Sequence, residues 1–440
     1  MRIVHLSTSD SNGGAARAAF RVHTGLKRLG HESTMLVYRP GSKDPAVAKY
    51  KPQPGFLPRI KRSLRARRIE ADHRRYDATR PTGFELFSDD RSPTAGELIG
   101  QIPPCDLINL HWVAEFVDHE HVLPRLPGNV PIVWRLADMA PLTGGCHYTA
   151  GCEKFTAQCG ACPQLGSNDE HDLSRQIWQR KSHALGNLAG RLHLVGTSKW
   201  IASESRQSSL LKKFPVTVIP NGLDTVEFSP RDKGFSRDLW GVPRDAKVVL
   251  FIADSLENKR KGFSYVVDAL AGIGTSVEKP FLVSLGNLKS KLDLPVPHLN
   301  LGRVNNDRLL SIVYSLADVF VMPSLQESFG QTVTESLACG TPVVAFDGGG
   351  PTDMVRPGVT GWLAKCGDAG ALRGAIVAAL SDDAARAKMS ENARRVALEE
   401  YSLEIQAAAY VRLYERLIAE MRQPIPRQPK PAAGAAVVTN

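Results

Sequence analysis

The sequence predicts an α/β protein built from two doubly wound parallel sheets, and three observations carry that reading. Short apolar runs alternate with helix-length amphipathic stretches both before and after residue 225. The tight turn Asn221-Gly222, followed by Pro230, interrupts that alternation near mid-chain. At 440 residues the chain is long enough for two domains, each with its own core.

The first unit reads as a strand over 3–8, the loop Ser11-Asn12-Gly13-Gly14, a helix over 15–29 ended by Gly30, and a strand over 33–38. The loop lacks the G-x-G-x-x-G spacing, so it does not argue for a nicotinamide cofactor. Gly13, Gly14 and Ala15 leave the backbone open to a phosphate or an acceptor; the alternative is glycines that serve only as turns. Further strands are predicted over 107–110, 131–136, 192–196 and 216–220. After the linker, strands are predicted over 247–252, 281–286, 299–301, 319–323 and 342–346. A last long helix is expected over 399–421, and a disordered tail rich in Pro, Ala, Lys and Arg over 423–440. No internal repeat is visible.

With 42% hydrophobic residues the composition is that of an ordinary folded α/β protein. No apolar run approaches the roughly 18 residues of a membrane span. The opening Met1-Arg2-Ile3-Val4-His5-Leu6-Ser7 turns polar too soon for a secretory core, so a cytoplasmic protein with reduced cysteines is expected. The net charge is +10, and much of it is local. Residues 59–75 hold eight Lys/Arg against Glu70 and Asp72, a net of +6, with Phe56, Leu57, Ile60 and Leu64 at helical spacing. Such a helix suits an anionic membrane surface, and a solvated helix face is the equal alternative. Nucleic acid is the less favoured partner, because no aromatic-rich motif accompanies the charge.

The densest chemistry lies between residues 318 and 345. The apolar strand Val319-Phe320-Val321-Met322 ends in Pro323-Ser324, and Glu327-Ser328-Phe329-Gly330-Gln331-Thr332-Val333-Thr334-Glu335 follows. Glu327 then sits on the loop at the strand's carboxyl end, and Glu335 about one turn into the next helix, both near the crevice of an open α/β sheet. The N–H groups of Phe329, Gly330 and Gln331 open that helix and can hold a phosphate. The alternative is a surface pair of glutamates favoured by the helix dipole. Lys259-Arg260-Lys261-Gly262 follows the first strand of the second series, where cations would stabilise a departing diphosphate; a solvated basic loop is the alternative there.

Together with Gly340-Thr341-Pro342 and Gly348-Gly349-Gly350-Pro351, this segment resembles the E-x7-E signature of retaining glycosyltransferases of family 4. The resemblance implies the GT-B fold: two doubly wound Rossmann-like domains facing a central cleft. It implies that Glu327 contacts the donor sugar and Glu335 the nucleotide ribose. Ser328, Phe329, Gly330 and Gln331, with Gly13 and Gly14 opposite, would line the donor site. Lys261 matches the family's lysine before a glycine. Asp254-Ser255 stand where an arginine is common, which leaves Arg260 as the substitute. Asn221-Gly222-Leu223-Asp224 resembles the phrase that closes the first domain, giving 1–225 as the acceptor-side domain, completed by a helix near 403–421, and 226–402 as the donor-binding domain. The implied partners are a nucleotide-diphosphate sugar and a glycan or lipid-linked acceptor, with no cofactor required for the chemistry. One position departs from the pattern: Ala137 precedes Asp138 where a histidine is frequent. His111, at the end of another strand, is the candidate substitute, and Asp138 a candidate acceptor-side base; both have a plain packing alternative.

Cys146, Cys152, Cys159 and Cys162 form a C-x5-C-x6-C-x2-C cluster. Four thiolates can complete a structural zinc site, with His147 as an alternative ligand; packed reduced thiols and disulfides or a redox role stay open. The phrase around them resembles a capsule and exopolysaccharide subgroup of the colanic-acid type. The reading is therefore a sugar transfer from a nucleotide-diphosphate sugar to an acceptor hydroxyl. Its alternatives are an epimerase or phosphorylase of the same fold, a basic zinc-bearing nucleic-acid binding protein, and a transferase relative silenced by Ala137.

Overall fold

The computed structural model describes residues 1–288 and 294–422. The tail expected over 423–440 lies outside the described residues. The first sheet contains β1 (Arg2–Ser9), β2 (Glu32–Arg39), β3 (Val47–Lys49), β4 (Leu107–Leu110), β5 (Ile132–Leu136), β6 (Leu192–Gly196) and β7 (Val216–Val218), in the order β3-β2-β1-β4-β5-β6-β7. The second contains β8 (Lys247–Ser255), β9 (Pro280–Asn287), β10 (His298–Asn300), β11 (Val319–Met322), β12 (Val343–Phe346) and β13 (Gly361–Ala364), in the order β10-β9-β8-β11-β12-β13. All strand pairings are parallel. In both sheets the strand order reverses beside the first strand, which opens a crevice at the carboxyl ends. The fold class read from the sequence is the fold found.

The central strands β4, β5, β11 and β12 are buried at every residue, so they read as unbroken apolar runs. The short edge strands β3 and β13 were not predicted, because neither carries a long apolar run. The single helix expected over 399–421 is two helices, Asp383–Glu400 and Leu403–Arg422. The break lies where the chain passes back to the first lobe. There Leu223 N donates to Tyr401 O at 3.0 Å and Leu403 N to Leu223 O at 3.0 Å, so the two crossings run side by side. A Cβ on Gly222 would sit 2.9 Å from Ser402 O, which is why the linker carries glycine there. Helix Leu403–Arg422 then packs Tyr410, Leu413, Tyr414, Leu417 and Ile418 against Ile3, Val22 and Leu26 of the first lobe. Val22 and Leu26 belong to α1 (Gly14–Arg28). The basic run forms α2 (Phe56–Arg74). No helix among the described residues is long and apolar enough to cross a membrane.

Candidate active site between the two sheets

The loop after β11 and helix Gln331–Ala338 form one wall of the crevice. Gly330 takes a left-handed φ of +94° at the helix start, a turn an L side chain resists. No side chain caps this helix, so its first-turn amides are left for a ligand. Gly350 N donates to Glu327 O at 2.8 Å, and a Cβ on Gly350 would stand 2.4 Å from Ser328 O. The triple-glycine run therefore holds the glutamate loop by backbone contact.

Lys261 and Arg260 reach the same loop. Leu325 N donates to Arg260 O at 2.8 Å, and Gly262 turns with φ +75° so close to Pro323 that a Cβ would lie 2.0 Å from its carbonyl oxygen. That docking places Lys261 Nζ 2.6 Å and Arg260 Nη1 3.2 Å from Glu327 Oε2. Tyr148 O–H donates to Glu327 Oε1 at 3.2 Å, and its ring lies 4.0 Å beneath the Arg260 guanidinium. Burial alone would raise the Glu327 pKa; the adjacent Lys261 and Arg260 outweigh it and pull it from 4.5 to about 2. The same burial, together with Glu327, pushes the Tyr148 phenol upward, so it stays a donor. Glu335 accepts from Arg21 Nη2 at 3.0 Å and from Tyr314 O–H at 3.1 Å. Glu327 and Glu335 are only 9% and 5% exposed, so they are not a surface pair, and the basic loop is not merely solvated.

These groups line one cavity of about 680 Å³, walled by both lobes. The structure brings together Glu327, Ser328, Phe329, Gly330, Gln331, Glu335, Arg260, Lys261, Gly13, Gly14 and Asp138 around it. Gly14 lies so near Gln331 that an added Cβ would meet its Nε2 at 3.1 Å. Ser328 Oγ donates to Ala137 O at 2.5 Å, and Ser198 Oγ to Ser328 O at 2.6 Å, so the lobes touch through the glutamate loop. Arg260 Nε also meets Glu85 across the cleft at 2.6 Å.

Two expectations are corrected. His111 does not line the cleft. It is buried against His5, with Nε2 2.9 Å from His5 Nδ1, and borders a separate cavity of about 30 Å³. Desolvation, reinforced by His5, holds it neutral, its pKa far below the usual histidine value. Asp138 lines the cleft but is no free base. Its Oδ2 accepts from Trp112 Nε1 at 2.9 Å and lies 2.6 Å from His147 Nδ1, and its Oδ1 accepts from Ala140 N at 2.9 Å. Burial raises its pKa, but His147 more than offsets that and the net direction is down. His147 is thus the partner of Asp138, with Nε2 2.7 Å from Ser88 Oγ. The zinc expectation is a separate matter and stays a proposal. Cys146, Cys152, Cys159 and Cys162 do line one small cavity of about 20 Å³, unpaired. Among the described residues, however, no three His, Cys, Asp or Glu stand together closely enough to hold a metal ion, which needs sulfurs about 2.3 Å from a common centre.

Sequence reasoning missed Arg21, Tyr148, Tyr314 and the role of His147. Arg17 and Arg21 share one face of α1 at i,i+4 spacing and follow the Gly13-Gly14 loop, a signal that was present. Tyr148 stood in the cysteine phrase, unremarked.

Comparison with known proteins agrees with this geometry. The family described as "Glycosyl transferases group 1" matches residues 232–396. An uncharacterized glycosyltransferase of Methanocaldococcus jannaschii is 31% identical over 325 residues, covering 70% of this chain and 75% of that one. The chain belongs to the group 1 glycosyltransferases. A phosphatidyl-myo-inositol mannosyltransferase of Mycobacterium leprae is 34% identical over 204 residues, 45% of this glycosyltransferase and 52% of that one. The chain spans about half the length of the first curated relatives it matches. Among solved structures, a sucrose-phosphate synthase from Thermosynechococcus elongatus superposes with TM-score 0.64 at 20% identity, covering 95% of this glycosyltransferase and all of that chain. Anabaena HepE in complex with UDP and glucose superposes with TM-score 0.62 at 18% identity, over 94% and 100%. At such identities the likeness is one of fold.

Proposed function

We propose that this chain transfers a sugar from a nucleoside-diphosphate sugar to an acceptor hydroxyl with retention at the anomeric carbon. The observation that carries the reading is the convergence of Glu327, Lys261 and Arg260 with an uncapped helix start and Glu335, all on one cavity wall. A diphosphate needs preplaced cations and N–H donors, and this wall supplies both. Glu335 stands for the ribose hydroxyls and Glu327, fixed by two cations and a tyrosine, for the sugar hydroxyls. A carboxylate so engaged is a poor nucleophile, which favours attack without a covalent enzyme intermediate. The donor C1–O bond breaks and its electron pair stays on the diphosphate. The acceptor oxygen bonds C1 on the same face, and its proton passes to a departing phosphate oxygen. No metal takes part in these steps. Residues 1–225 then form the acceptor side and 226–402 the donor side.

The finer readings belong to the same proposal. The acceptor is a glycan or lipid-linked glycan of polysaccharide assembly, supported by the likeness of the cysteine phrase to exopolysaccharide enzymes. The Asp138–His147 pair, facing the cleft beside Trp112, orients that acceptor. The cytoplasm as compartment agrees with seven unpaired cysteines.

A melting panel with UDP-, GDP- and ADP-sugars tests the donor. A ligand at 100 times its dissociation constant stabilises by about 2.7 kcal/mol, and Glu335→Ala should remove most of that protection. If no nucleotide sugar protects the protein, the donor assignment is wrong. If one protects but is only epimerised, or cleaved by phosphate, with acceptors present, the fold serves the alternative chemistry.

A further inference from the structure

The helix α2, Phe56–Arg74, is 19 residues long and has no buried residue. Its inner face is fastened by charge. Arg62 Nη1 meets Glu97 at 3.1 Å, and Arg65 Nη2 meets Asp118 at 2.6 Å. The opposite face carries Phe56, Leu57, Ile60 and Leu64, which are 76%, 69%, 38% and 59% exposed. At about 100° per residue these four fall within an arc of about 100°, directed away from Arg62 and Arg65. Lys61 and Arg68 project along one edge of that arc, Arg59 lies beyond the other, and Arg67 falls within it, just past Leu64 along the helix. Among the described residues no ion pair engages Arg59, Lys61, Arg67 or Arg68, whereas Arg74 is paired with Glu70. No other helix described gathers as many large exposed apolar side chains.

We propose that this outward face of α2 docks on an anionic lipid bilayer. The charge pattern selects that occupant. A protein groove that takes an amphipathic helix usually wants the long apolar seam read at i, i+3, i+4 and i+7, with charge on the far side. Here Leu57, Ile60 and Leu64 keep that spacing over just over two turns, roughly 13 Å, but the cations stand on the apolar side itself, with Lys61 and Arg68 along one edge, Arg59 beyond the other and Arg67 within the arc. Phe56, Leu57, Ile60 and Leu64 enter the boundary between headgroups and acyl chains, while Lys61, Arg67 and Arg68 lie among lipid phosphates. Because the apolar stretch is short, binding depends chiefly on the cations and fades as salt screens them. The proposal stands apart from the transfer reaction, since α2 contributes no residue to the cleft. Where both hold, the surface brings the cleft to lipid-linked acceptors.

Sedimentation of the full chain with vesicles tests this. Vesicles containing phosphatidylglycerol should pull the protein down at low salt, and vesicles of phosphatidylcholine alone should not. Raising the salt to about 0.5 M, where the screening length is only a few ångströms, should release it. Two triple variants, Leu57→Gln/Ile60→Gln/Leu64→Gln and Lys61→Glu/Arg67→Glu/Arg68→Glu, should each lower partitioning about tenfold. Their melting temperatures and nucleotide-sugar protection should match the parent, because none of these side chains is buried. Equal binding to neutral vesicles overturns the proposal. So does unchanged binding by either variant, which leaves another surface responsible. Dimers abolished by the apolar variant, with no vesicle binding by the parent, would mean that α2 pairs with a second copy instead.

Discussion

Two loops at the carboxyl ends of parallel strands face the same crevice and yield differently to reading. The first runs from Glu327 into helix Gln331–Ala338; the second follows β5 and carries Asp138 through Cys162. In the first, a spacing of eight became a geometry, because a strand, a corner and a helix fix where each position points. Glu327 and Glu335 landed on one wall with Lys261, Arg260 and Arg21 as their partners. In the second, spacing among four cysteines produced proximity without a metal-holding group among the described residues. Besides Asp138, the residues of that loop that reach the cleft are His147 and Tyr148, which lie between Cys146 and Cys152 in sequence. Spacing translates into chemistry where regular backbone carries it, and loses meaning along a loop of short turns.

The largest expected effect tests the first loop. Removing one preorganised charge donor typically lowers turnover 10²–10³-fold, so Lys261→Ala should cost kcat by about that factor in a transfer assay. A loss under about threefold would show that the cations only pack against Glu327. Tyr148→Phe sharpens the contrast, because Tyr148 belongs to the second loop yet donates to Glu327. We expect a fall in kcat/KM of about tenfold with a stability loss near 1 kcal/mol, measured by denaturant titration. The cysteines should matter through packing. Cys159→Ser places a hydroxyl in a buried site where Gly144 N–H donates to the present sulfur, and should destabilise by about 1–2 kcal/mol. Elemental analysis of the native protein should find no stoichiometric zinc. One equivalent, lost in Cys159→Ser/Cys162→Ser, would break the comparison, since the second loop would then be as readable as the first.

The smallest effect is one of acidity. A carboxylate whose folded pKa is depressed contributes stability that is present above its unfolded value and lost as pH falls toward the folded one. For Glu327 that window runs from 4.5 down to about 2. Glu327→Gln should therefore lower stability at neutral pH and flatten the further loss within the window. An unchanged slope in acid denaturation would mean that the cations relax toward solvent when Glu327 is protonated.

How much was legible follows from the same physics. The fully buried strands β4, β5, β11 and β12 were found because burial on both faces leaves unbroken apolar runs. The edge strand β3 was missed because two of its three residues are exposed and Val47-Ala48 is too short an apolar run to mark a strand. The donor wall was readable because Glu327, Gly330 and Glu335 are tied to one strand–helix corner. Arg21 and Glu85 were not, since each reaches its partner only after the lobes close over more than a hundred residues of sequence. His111 misled because a polar residue at a strand's end looks like a site, while here a second histidine, His5, absorbs its hydrogen bond.

Helix Leu403–Arg422 completes a lobe whose other elements were laid down two hundred residues earlier. On the ribosome, that lobe emerges with the apolar flank around Ile3 and Val22 uncovered, and it stays so until Leu403–Arg422 has been made. Its biogenesis is thus a matter of waiting, with that flank open to solvent or to other chains until the crossing helix arrives.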